Sequence, residues 1–185
     1  HTLLIELCAK QLYEGADINI DELITAAAQY DFSVLTASHI ALSDDTYIET
    51  ALDKFILYLF RPNTLTENEQ QVLKYFSLLR NIEHPLDKLV QWFTNSDDTS
   101  FTEKLTTNLK SLSKQGWLQA QETLQGTEMI TTYQCHLIVS YAIRKLLIPT
   151  TDNCISFLEN IKIEGVYDNK EHIIERVQYL PELLQ

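Results

Sequence analysis

The sequence predicts a mainly α-helical protein, a helical bundle subdomain followed by a winged-helix domain with one β-hairpin. Three observations lead there. Apolar residues recur at helical spacing through most of the chain. Residues 65–137 run helix, helix, helix, hairpin, which is the winged-helix order. One strand–turn–strand signal, at residues 117–135, interrupts the helical pattern.

The winged-helix stretch opens at Leu65-Thr66-Glu67-Asn68-Glu69. Thr66 with Glu69 three residues on is a capping box, and Leu65 is placed to staple the first turn. Val72, Leu73, Phe76 and Leu79 then form one apolar face, and the helix is predicted to end near Arg80-Asn81. His84-Pro85 is read as the start of a second helix, because proline fits a first helical turn. Leu86, Leu89, Val90 and Phe93 supply its buried side. Residues 95–99 are turn formers. Ser100 and Glu103 suggest a second capping box, and Leu105, Leu109 and Leu112 carry the third helix inward. Gly116 can end that helix in the left-handed conformation. Residues 117–122 and 129–135 are rich in Thr, aromatic and aliphatic residues and read as strands joined through Gln125-Gly126.

Before this stretch, residues 2–13 read as a helix that is apolar nearly all round. Asn19 caps a second helix with Glu22 at its third position, and Leu23, Ile24, Ala27 and Ala28 form its core side. Residues 31–43 give no clear element, and residues 46–60 read as a strong helix ended by Arg61-Pro62-Asn63. After the hairpin, residues 136–148 read as a helix stopped by Pro149. Thr150 or Thr151 caps another, with Ile155, Leu158, Ile161 and Ile163 inward, and residues 170–179 read as a last helix. The expected domains are thus 1–62, a helical subdomain; 63–149, the winged helix; and 150–185, helices leading into a downstream region. The first residue is His1 and the chain enters as if mid-helix, which suggests an internal piece of a longer protein.

Composition narrows the function. With 185 residues and 45% hydrophobic content, the chain can bury a real core. A formal net charge of −12 argues against general affinity for nucleic acid or anionic membranes. Cys8, Cys135 and Cys154 are scattered and lack metal-ligand spacing, which points to a reducing, cytoplasmic setting. No apolar run is long enough for a membrane span.

No catalytic signature emerges. The glycines at 15, 116, 126 and 165 form neither phosphate-cradling pattern, so this piece is expected not to be an enzyme by itself. Asp44-Asp45 and Asp97-Asp98 read as capping and solvated carboxylates. His1, His39, His84 and His172 read as surface or cap residues. Lys104, Lys110 and Lys114 mark the helix face where a DNA-binding winged helix carries its groove-facing charges. Glu103 beside them and the acidic balance favour a solvated face instead.

Several segments carry a resemblance. Residues 65–79, Leu65 through Leu79, resemble the start of the winged helix in NB-ARC proteins, members of the STAND class of signalling ATPases. Ser113-Lys114-Gln115-Gly116-Trp117-Leu118 is similar to that family's Lys-x-Gly-Trp-Leu entry into the wing. Tyr133-Gln134-Cys135-His136-Leu137 falls where the family has Tyr-x-Met-His-Asp, and residues 1–10 resemble the helix carrying its Gly-Leu-Pro-Leu motif. The Met and Asp flanking the histidine are Cys135 and Leu137 here, and the proline position falls on Thr2.

The resemblance implies a regulatory lid of a nucleotide-switched ATPase whose Walker motifs lie outside this chain. It implies ADP and ATP as cofactors of the parent, none being expected for the piece alone. It implies that His136 reaches the phosphates of ADP held mainly by that ATPase core; the alternative is a histidine that caps its own helix or packs under the wing. It also implies intramolecular contacts with the core and a downstream sensor region, and homo-oligomers of the parent, with no nucleic acid or membrane partner. Two other readings compete: a winged-helix DNA-binding transcriptional regulator, and an adaptor that binds proteins through an acidic helical surface.

Overall fold

A computed structural model describes residues 2–14, 19–29, 56–93, 99–125 and 127–165. The expectations for residues 31–43, 46–55 and 170–179 lie outside these. The chain divides into two compact units, His1–Arg61 and Pro62–Gln185. Among the described residues it is mainly helical, with one small three-stranded antiparallel sheet.

The first unit contains α1 (Thr2–Glu14) and α2 (Ile20–Gln29), and a helical turn at residues 56–59. Asn19 caps α2: its Oδ1 accepts from the Glu22 amide at 2.8 Å. Ile24, predicted to face a core, is exposed. On α1, Glu6 and Lys10 pair across one turn at 3.1 Å, worth a few tenths of a kcal/mol, roughly 0.3–0.5, at an exposed site.

The second unit begins with a 3₁₀ turn, Pro62–Thr64, and α3, Glu67–Leu78. The capping box at its start is complete. The Glu69 amide donates to Thr66 Oγ1, and Glu69 Oε2 accepts from the Thr66 amide and hydroxyl, both at 2.9 Å. Burial alone would raise the Glu69 pKa. Hydrogen bonds from Ser111 and from the Thr66 amide and hydroxyl prevail and hold it below the usual carboxylate range.

Strand β1 (His84–Pro85) and helices α4 (Leu86–Phe93) and α5 (Thr99–Lys114) follow. His84-Pro85 is therefore not a first helical turn. His84 pairs with Tyr133 and Pro85 with Thr132. Proline disfavours helix at the residue before it and is tolerated in an edge strand because it donates to no ladder; the helix starts one residue later. Helix α5 starts at Thr99, so Ser100 lies inside its first turn rather than at the cap. It ends in a Schellman turn: Gly116 has φ 83°, its amide donates to Ser113 O at 3.2 Å, and the Trp117 amide donates to Leu112 O at 2.9 Å. Trp117 and Leu118, read as strand, are instead buried plugs ahead of it.

The wing is β2 (Gln119–Gln125) and β3 (Glu128–Gln134), with Gln125 opposite Glu128 and two residues between them. The sheet order is β1-β3-β2, so β3 is central. Helices α6 (Leu137–Leu146) and α7 (Thr151–Gly165) complete the unit. Thr150 caps α7 reciprocally with Asn153: Thr150 Oγ1 accepts from the Asn153 amide at 3.3 Å, and Asn153 Oδ1 accepts from the Thr150 amide at 2.8 Å. The inward face of α7 is Cys154, Phe157, Leu158 and Ile161, while Ile155, predicted inward, is exposed.

The core joins α3, α4, α5 and α7 around aromatic rings. Tyr75 stacks on Phe157 at 4.9 Å and 16°, and Phe93 meets Phe76 edge-on at 5.4 Å and Phe157 at 5.6 Å. Such pairs add about 0.5–1.5 kcal/mol each beyond area burial. His84 is buried too, 5% exposed, which corrects the surface reading. Its Nε2–H donates to Arg80 O at 2.9 Å, and its ring meets Trp92 edge-on at 5.6 Å.

Two stability predictions follow from these geometries. Burial pushes the His84 pKa below its ordinary value, with the Arg80 carbonyl opposing more weakly. The unfolded chain then takes up a proton near pH 6.5, about the ordinary histidine value, before the folded chain does. Stability is full above that value and falls as the pH drops below it; His136 works in the same direction. Melting temperatures across this range should show an acid limb that His84→Leu flattens in part. The second concerns Ile148, at φ 40° between α6 and α7 and 62% exposed. A β-branched residue there costs about 1–2 kcal/mol, whereas asparagine tolerates the conformation. Ile148→Asn should stabilise the chain by roughly 1 kcal/mol in denaturant unfolding.

Candidate functional site

The site is the junction where the wing returns to the helices. Tyr133 near the end of β3 and Cys135 just after it, two residues apart, are both buried. They anchor the chain on either side of Gln134, whose side-chain amide donates to Asn81 O at 2.7 Å. Burial pushes the Cys135 thiol up to about 12, against the opposing charge of Arg144, and so disfavours the thiolate. Burial also raises the Tyr133 phenol, with the Glu122 carboxylate adding to the shift. The next residue leaves this anchored stretch as His136.

His136 is the N-cap of α6, with φ −70° and ψ 148°. Its Nδ1 accepts from the Ile138 amide at 3.2 Å, and its carbonyl accepts the first helical bond, from Ser140, at 2.8 Å. An accepting Nδ1 carries no proton, so the neutral ring bears its hydrogen on Nε2. Burial lowers the pKa of His136, which keeps the ring neutral at pH 7. Among the described residues, Nε2 has no hydrogen-bond partner. The ring therefore has one unused donor, held at a helix N-terminus where remaining amides and the helix dipole favour an anion. Charging the ring would sacrifice the cap, so the arrangement suits a neutral donor.

The resemblance to NB-ARC proteins implies that a histidine at this junction meets a phosphate. The ring also caps its own helix, so its removal cannot be structurally silent. The cap is one of the alternatives the sequence leaves open for His136, although histidine is not among the usual capping residues.

Lys104, Lys110 and Lys114 lie exposed on α5, with Glu103 exposed beside them. The wing adds Glu122 and Glu128, both exposed, and has no lysine or arginine. A wing lying along a phosphate backbone needs the opposite charge. Asp44, Asp45, Asp97 and Asp98, and His1, His39 and His172, lie outside the described residues. Among the described residues no group of three or more His, Cys, Asp or Glu side chains is placed to hold a metal ion, and no helix is long and apolar enough to cross a membrane. No family model, curated protein or solved structure matches the chain.

The dual use of the ring yields a stability prediction. His136→Ala should cost about 1 kcal/mol through loss of the cap, whereas His136→Ser, which restores a capping oxygen, should melt near the parent chain. Thermal unfolding of the three proteins checks this.

Proposed function

We propose that the chain is the regulatory helical and winged-helix part of a nucleotide-switched signalling ATPase of the STAND class, and that His136 contributes to its ADP-bound closed state. The observation that carries this reading is the neutral imidazole at the start of α6: Nδ1 is engaged by its own helix, and Nε2–H is left to donate to an anion. The resemblance of residues 65–79, 113–118 and 133–137 to NB-ARC proteins supplies the nucleotide and the class. ADP would be held mainly by a phosphate-binding loop that residues 1–185 do not contain, with His136 adding one charge-assisted hydrogen bond. A nucleotide biases such a switch only through contacts that differ between its two states, and this bond would form in one of them.

The test uses the longer protein that carries the phosphate-binding loop. His136→Ser keeps the cap and removes the imidazole donor. It should speed ADP release about ten- to a hundredfold, the equivalent of a hydrogen bond to a charged group worth roughly 1.5–3 kcal/mol, with unchanged melting of the chain. ADP release at the parent rate would leave His136 a cap alone and overturn the proposal.

A further inference from the structure

We propose that the outer edge of the wing is a docking strand for an extended protein segment in which a basic residue is flanked, two positions away, by apolar ones. Strand β2 has β3 on one side, and among the described residues no strand covers its other edge. A seven-residue edge of this kind presents unpaired backbone groups to which a further strand can add.

The side chains state what that strand must carry. The register places Leu124 opposite Met129 and Glu122 opposite Thr131, and both pairs lie on one face of the hairpin. Leu124 is 65% and Met129 61% exposed, an apolar pair at the far end of the wing. The charged residues of the wing are Glu122 and Glu128, both acidic and exposed. A fourth strand beside β2 would set one residue against Glu122 and another, two positions on, against Leu124. Opposite charge at the first and an apolar side chain at the second are the favourable cross-strand pairs.

The same geometry disfavours a second copy of the chain. Glu122 is the middle residue of β2, so two copies paired antiparallel about the strand centre would place Glu122 directly against itself. Nucleic acid and anionic membranes are disfavoured by the same carboxylates. This inference does not depend on His136 or on any nucleotide.

The probe is an acetylated, amidated peptide of sequence Thr-Val-Thr-Lys-Thr-Val-Thr, a palindrome that sets its lysine opposite Glu122 in either strand direction. The control replaces lysine with glutamate. Each is titrated at low salt into the isotopically labelled 185-residue chain while backbone amide resonances are followed. The lysine peptide should shift amides of β2 and bind about fivefold more tightly than the control. The exposed substitution Glu122→Lys should reverse that preference without altering the rest of the spectrum. Equal affinities, shifts centred away from β2, or no shifts at all would overturn the proposal. Concentration-dependent self-association that shifts the same β2 amides would overturn it in favour of a second copy.

Discussion

Strand β3 is the constraint on which the second unit depends. Flanked on both sides, it pairs with β2 along its whole length and with β1 at His84 and Pro85. Side chains tighten the second seam: Thr132 Oγ1 donates to Glu83 Oε2 at 3.1 Å, and the Gln134 side chain donates to Asn81 O. A slip of one residue would turn Tyr133 and Cys135 to the outside. It would also unseat His84 from Trp92 and move His136 off the N-terminus of α6. Fold and candidate site thus share one register.

Helix α7 belongs to this unit and is not an appendage of it. Phe157 packs into the rings of Tyr75 and Phe93, and polar contacts lock the helix in position. The Gln71 side chain donates to Asn153 O, and Asn160 Nδ2 donates to Trp92 O at 3.0 Å. Helix α6 meets α3 through small residues, where Ser140 Oγ donates to Ser77 O at 3.3 Å with both residues buried. A buried hydroxyl that finds a carbonyl avoids the cost of leaving a polar group unpaired, about 1–3 kcal/mol. The helix headed by His136 and the last described helix are therefore both packed against α3.

Charge is divided unevenly between α5 and the wing. The lysines of α5 resemble those of a DNA reader in sequence, but the wing that would accompany them carries only carboxylates. The surface of the second unit is thus acidic at the wing and mixed on α5.

The features written into the order of residues are local. The capping box at Thr66 and Glu69, the cap at Asn19, the left-handed stop at Gly116 and the hairpin between residues 119 and 134 each depend on neighbours within a few positions. Those neighbours are visible in the string of residues. Long-range packing sets which way the ambiguous residues face. His84 is buried because β1 joins β3 from 49 residues away, a pairing that two residues of strand cannot signal. The inward face of α7 centres on Phe157 and Cys154 rather than Ile155, because the rings of Tyr75 and Phe93 select it. At His136 both levels meet: the residue precedes a helical pattern in the sequence, and the start of α6 sets its Nδ1 to accept from the helix's own Ile138 amide.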